Sequence, residues 1–255
     1  MSELRDKLRI FDRIEAGKNV HVLALGESNT EHFMVGAHWF DYVNMGLMHT
    51  YRKWTSDRSS VDNPALCLNA GTSNNTTAEL LARFDRDVTP FKPDLLILTA
   101  GVNDANPKCN VSREMMHGNM VEIRRRVNSW GGDVLFQTCY CCDYEKFREK
   151  SPQWADNYEP YMEVVRSVAG EYLNDNYSRW KLLHDCNIQS FRLLMRDHLH
   201  LNPVGNAVIG LDLIRLLGLT LPDENLPWIT GGVFARDCMD LLEKGQKAQL
   251  NKNAV

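Results

Sequence analysis

Five short, near-continuously apolar runs recur along the chain, separated by longer amphipathic stretches. They are VHVLALG (Val20–Gly26), ALCLNAG (Ala65–Gly71), DLLILTAG (Asp94–Gly101), DVLFQTCY (Asp133–Tyr140) and KLLHDCN (Lys181–Asn187). A strand that is apolar along its whole length has both faces covered, the condition of a parallel sheet between helices. Residues 36–54, 76–87, 112–130 and 158–176 carry apolar residues at three-to-four spacing, the helix period. The alternation predicts an α/β fold, a parallel five-stranded sheet with right-handed crossovers and helices on both faces. The functional crevice of such a sheet lies beyond the carboxyl ends of its strands. Ser28, Asn74, Asn103 and Tyr140 all fall just past those ends, and the first three runs exit on glycine.

The bulk properties narrow the classes of partner. A chain of 255 residues suits one large domain. The expected division is a main domain over residues 1–218 and a helical tail over 219–255, which packs on the domain or mediates self-association into a homo-oligomer. Charge is mixed and the net is only −4, so neither nucleic acid nor stable membrane association is expected. No apolar run approaches bilayer length. The charged start lacks a signal-peptide core, and the odd count of seven cysteines favours reduced thiols, so the expected location is cytoplasmic. Residues 141–157, CCDYEKFREKSPQWADN, are read as a long polar-aromatic connection where a substrate-facing lid would sit.

Four motifs carry chemistry-bearing residues. They are Gly26-Glu27-Ser28, NAGTSNNTTAELLARF (Asn69 to Phe84), GVND (Gly101 to Asp104) and DHLHLNPVGN (Asp197 to Asn206). The first has a bland reading as a strand-to-helix turn capped by Ser28 or Asn29. Acyl transfer, however, requires a nucleophile, a base, a group that orients the base, and donors for the oxyanion. Ser28 can be the nucleophile and His200 the base, since imidazole titrates near neutrality. Asp197, three residues earlier, can hold one imidazole nitrogen and fix the tautomer. The Asn103 amide and the backbone N–H groups of Ser28 and residue 74 can form the hole.

With these four blocks in this order, the chain resembles the SGNH (GDSL-type) hydrolase family from about Val20 to Leu217. The resemblance implies a flavodoxin-like three-layer α/β/α fold and hydrolysis of esters or thioesters with no metal or other cofactor. Asp-x-x-His followed by Asn202 and Gly205 is its most specific block. Two positions depart from the family pattern. Glu27 stands where Asp is usual, which should change the hydrogen bonds of the turn but not the role of Ser28. The second block places Asn74, not glycine, at the oxyanion position. Asparagine tolerates positive φ, so its N–H can still point inward, and Gly71 is the fallback.

Other residues have weaker readings. Glu31, His32, Tyr140, Tyr144 and His198 are candidates to border the substrate, with Phe147 and Trp154 as further aromatic wall. His198 and His200 alternate as two metal ligands could, but no third ligand cluster accompanies them. Cys139, Cys141 and Cys142 lack metal or redox spacing. Asp104 suits a turn that holds its loop, and Trp39, Trp54 and Trp130 suit packing. The chain is therefore read as a serine esterase for a small-molecule ester, an acetyl-type ester of a polar alcohol such as a carbohydrate. The competing readings are a lysophospholipase or thioesterase for longer chains and a non-catalytic flavodoxin-like binding module.

Overall fold

The computed structural model describes residues 4–32, 37–54, 61–221 and 238–245. Among the described residues seven strands form: β1 (Val20–Gly26), β2 (Lys53–Trp54), β3 (Val61–Asp62), β4 (Ala65–Gly71), β5 (Leu95–Thr99), β6 (Asp133–Gln137) and β7 (Leu173–Asn174). Five make one sheet in the order β4-β1-β5-β6-β7, every pair parallel, while β2 and β3 form a short antiparallel ribbon. The helices are α1 (Arg9–Glu15), α2 (Trp39–Tyr51), α3 (Thr77–Ala82), α4 (Phe84–Asp87), α5 (Arg113–Ser129), α6 (Tyr144–Lys150), α7 (Pro152–Ala169), α8 (Asn176–Cys186), α9 (Ile188–Leu193) and α10 (Pro203–Leu216). A further helical stretch covers 238–245.

Alternation along the strands divides the core into two layers. Val20, Val22 and Ala24 of β1 point to one face, where α1, α2, α8 and α10 pack. Leu23 and Leu25 point to the other, against Leu80 of α3, Phe84 of α4, Met116, Met120, Ile123 and Val127 of α5, and Val165 of α7. The three-layer α/β/α fold expected from the sequence is borne out. The tail stretch 238–245 buries Cys238, Met239 and Leu242 against the first face, and Arg215 reaches Asp240 at 3.2 Å.

Two expectations need correction. The run 181–187 is not the fifth strand; it lies in α8, and the fifth strand is the two-residue β7. Asp175 caps α8 by accepting from Ser178 N, and Tyr177, Trp180 and Leu183 are buried at helical spacing. A short apolar run has the same signature in a buried helix as in a strand. Residues 141–157 are likewise not an open connection. They fold into α6 and the first turn of α7, begun by Pro152 at a position that needs no donor. Phe147 is fully buried against Trp154 and Tyr158. Asp143 holds Arg192 at 2.7 Å.

The register sets the site. Gly26 of β1 pairs with Gly71 of β4 and Thr99 of β5, so three chains leave the sheet at one level. The turn after β1 then crosses directly over the end of β4. A Cβ on Gly71 would lie 2.3 Å from Thr30 C and from Glu31 N, which only glycine avoids.

Candidate active site

Ser28 sits in the turn after β1, with Thr30 N and Glu31 N both donating to Glu27 O at 2.9 and 3.0 Å. Its Oγ lies 3.0 Å from His200 Nε2. His200 Nδ1 in turn lies 3.0 and 2.9 Å from the two Asp197 oxygens. Asp197 Oδ1 also accepts from Leu199 N and His200 N, each at 2.8 Å. Burial works against the Asp197 charge, but His200 and the two amides outweigh it and hold the carboxyl well below the usual range. With a carboxylate at Nδ1, that nitrogen carries the proton, and Nε2 is left free to accept from Ser28.

The histidine loop is anchored by the residues that follow it. Asn202 caps α10, accepting from Gly205 N at 3.0 Å and donating to Leu193 O at 2.7 Å. A side chain at Gly205 would strike Leu194 O at 2.4 Å. The asparagine and glycine of this block are thus scaffold for the turn that presents His200.

The candidate oxyanion residues follow β4 and β5. Asn74 has φ +62°, the conformation its amide side chain tolerates. Asn103, buried after β5, donates through Nδ2 to Asn75 O at 2.9 Å. The Gly71 N–H donates to Asn69 Oδ1 at 2.8 Å, which engages the fallback donor elsewhere. Asp104 accepts from Thr77 N at 3.1 Å through both oxygens and also from the Thr77 hydroxyl, holding the start of α3.

A model of the GDSL-like lipase/acylhydrolase family matches residues 24–208, a span that holds all four blocks. The chain belongs to that family. This GDSL-like protein is accordingly an ester-bond hydrolase. Solved structures similar to it include an acetylxylan esterase from Geobacillus stearothermophilus, represented by a catalytic mutant, with a TM-score of 0.64. That pair shares 17% identity over 81% of this chain and 98% of the other. The acetyl xylan esterase AlAXEase gives 0.60 at 20% identity over 75% and 96%. A lipase/acylhydrolase from Enterococcus faecalis gives 0.58 at 19% identity over 80% and 99%. Among curated proteins, an uncharacterized lipoprotein of Bacillus subtilis, YqeF, is 32% identical over 124 residues, 46% of this chain. The match spans about half of that relative's length, 47%. Among the described residues no helix is long and apolar enough to cross a membrane. The relative's name speaks of its own location, so a cytoplasmic location for this hydrolase gains no support from it.

A cleft lies beside Ser28 and His200, lined also by Asn29, Glu31, His38, Tyr140, Leu201 and Asn206. Of the substrate-bordering candidates, Glu31 and Tyr140 line it. The Tyr140 hydroxyl, however, is engaged internally, 2.6 Å from Asn29 Oδ1 and 2.9 Å from Leu199 O, and accepts from Leu201 N at 3.1 Å. Glu31 accepts from the Ser73 hydroxyl, and His32 lies at the surface, 2.9 Å from Asp41. Tyr144 and His198 do not line the cleft. Tyr144 is hydrogen-bonded to Tyr177 in a separate groove between α6, α7 and α8. The His198 ring packs on Phe147 with centroids 5.1 Å apart. Among the described residues no group of three or more His, Cys, Asp or Glu side chains is placed to hold a metal ion.

Two neighbours of the site, Arg83 and His38, escaped the sequence reading, as did the contact of Glu27 with the nucleophile. Arg83 donates to Gly26 O at 2.9 Å, Ala70 O at 2.8 Å and Asn75 Oδ1 at 2.7 Å, tying both strand ends to the oxyanion loop. His38 lines the cleft; burial lowers its imidazole to about 4, so it stays neutral and lies 3.1 Å from Asn29 O through Nε2. Glu27 lies fully buried beside the nucleophile. Only the proximity of Glu27 and His38 to the serine hinted at them; Arg83 left no signal, since its ties to the strand ends are to backbone carbonyls.

Proposed function

We propose that the protein is a serine esterase that removes a short, acetyl-type acyl group from a polar alcohol such as a carbohydrate. The observation that carries this reading is the continuous hydrogen-bonded series Ser28–His200–Asp197 opening onto a small polar cleft. Ser28 Oγ attacks the ester carbonyl as its proton passes to His200 Nε2, and Asp197 stabilises the imidazolium. The tetrahedral oxyanion is met by the N–H groups of Ser28 and Asn74 and the Asn103 amide. Collapse breaks the ester bond, and the alcohol leaves with the proton from Nε2. A water then gives its proton to Nε2, attacks the acyl-enzyme, and Ser28 Oγ recovers the proton as the acid departs. Glu31 and Tyr140 border the acyl site in this reading.

The preference for a short acyl group has two supports. A cleft lined mostly by polar side chains beside Ser28 favours a small polar acyl site over a long apolar one. Two structural neighbours, moreover, are named as acetylxylan esterases. The partner is accordingly a small-molecule ester. A ladder of chromogenic esters tests the reading together with Ser28→Ala. Acetyl and propionyl esters should exceed octanoyl in kcat/KM, and the alanine variant should lose on the order of 10⁴ to 10⁶ in kcat with its melting temperature kept. Activity of the alanine variant within tenfold of wild type would remove Ser28 from the chemistry, and an octanoyl optimum would favour a lysophospholipase or thioesterase.

A further inference from the structure

Ser28 Oγ has one proton and stands between two acceptors. His200 Nε2 is 3.0 Å away on one side, and Glu27 Oε2 is 3.0 Å away on the other. The other polar neighbours of the enclosed Glu27 carboxyl are donors as well. They are Asn29 N at 3.2 Å, the Asn29 side-chain amide at 3.3 Å and the Cys139 thiol at 3.5 Å. Four donors suit a carboxylate. A neutral acid would find only Ser28 Oγ or a weakly accepting thiol for its own proton. The cationic group that acts on this charge is His200.

We propose that Glu27 is a positioning residue that competes with His200 for the Ser28 proton, and so sets the pH at which the nucleophile is released to its base. The inference rests on the reading of Ser28 and His200 as nucleophile and base. With Glu27 charged, the Ser28 hydroxyl donates to Oε2 and turns a lone pair toward His200. That arrangement favours the protonated imidazole, whose Nε2–H donates to Oγ. When His200 loses that proton to solvent, the serine O–H swings from Oε2 to Nε2 and the triad is armed. Only a hydroxyl rotation and one proton are involved. Because the carboxylate stabilises the imidazolium, the base becomes free at a higher pH than an Asp–His pair alone would give. Burial pushes the Glu27 carboxyl up, against the hydrogen bonds from Asn29 and Ser28.

The other groups facing this pair are Asp197 and His198 on the histidine loop, Cys139 and Tyr140 after β6, and Glu31 and His38 at the cleft. All six are the same in variants at position 27, so a shift between variants reads Glu27. The test is kcat/KM for a short chromogenic ester against pH, with thermal melts, for wild type, Glu27→Gln and Glu27→Asp. Glutamine keeps the shape without the charge, and its NH₂ can donate to Oγ, turning the serine proton to His200. The acid limb should move to lower pH by about one unit, a gain of roughly tenfold at pH values below the limb when each enzyme is scaled to its own plateau. Aspartate keeps the charge but draws it back from Oγ, so its limb should move part of the way. A residue that only supported the fold would change melting or plateau rate and leave the limb in place. Wild-type limbs in the folded variants, or a limb displaced to higher pH, overturn the inference. Should glutamine not fold, aspartate decides on the same criterion. If Ser28→Ala stays active, it is the catalytic reading beneath that fails.

Discussion

The two sides of the reaction centre are built differently. On the nucleophile side, Glu27 and Asn29 are buried, and the side chains of Asn29 and Tyr140 bind the turn to the histidine loop through Leu199 and Leu201. On the oxyanion side, Asn74 is exposed, in a left-handed conformation within a turn, and its loop is tied down by Arg83 through Asn75 and by Thr76 capping α3. The nucleophile side is fixed by side chains, so it answers to side-chain substitutions. In the proposed mechanism the oxyanion side offers a backbone N–H, and it would then answer to backbone geometry. A catalyst needs both kinds of rigidity, because the base must meet one proton at one distance while the hole must meet a charge that exists only in transit.

The largest effect that tests this contrast is at Asn74. Asn74→Pro removes the N–H and fixes φ near −65°, so kcat should fall by roughly 10² to 10³, as for other lost oxyanion donors. Asn74→Gly keeps the donor and permits positive φ, so it should retain most activity, and Asn74→Ala should fall between. Thermal melts separate misfolding from lost catalysis. A folded proline variant with near-normal kcat would show that residue 74 lies outside the hole. A smaller effect is expected on the other side from Tyr140→Phe, which leaves Asn29 Oδ1, Leu199 O and Leu201 N without their shared partner. Stability should fall by about 1–3 kcal/mol, and kcat by about tenfold with KM kept, because the elbow and the histidine loop lose their common tie. An unchanged melt and kcat would mean that the two loops hold their places independently.

How much of this could be read from the chain follows from where the determinants lie. Four of the five strands were legible because each is near-continuously apolar; β1, β5 and β6 are buried on both faces, whereas β4, at the sheet edge, leaves Leu66 and Asn69 exposed. The fifth was missed because β7 has only two residues and the apolar run beyond it belongs to the buried side of α8. Ser28, Asp197 and His200 were legible because each role demands a residue type at a strand end or a fixed spacing. The positive φ of Asn74 was legible because asparagine tolerates it. Tyr144 and His198 misled because an aromatic or an imidazole after a strand reads alike whether it faces substrate or core. Arg83 left no pattern, since its partners are the carbonyls of Gly26 and Ala70. Glu27 was visible as a departure from the family's aspartate, but its contact with the nucleophile depends on the turn burying both, which spacing alone does not encode.

In the proposed mechanism Ser28 Oγ is the atom that takes the acyl group. Rapid acid quenching of the enzyme with excess p-nitrophenyl acetate, followed by peptide mass mapping, tests that directly. One acetyl group should appear on the peptide that holds Ser28, at a stoichiometry approaching one per active site and in step with the initial burst of nitrophenol. It should be absent from Ser28→Ala. Steady turnover with no acylated peptide, or the acetyl group on a different residue at full stoichiometry, would contradict the mechanism.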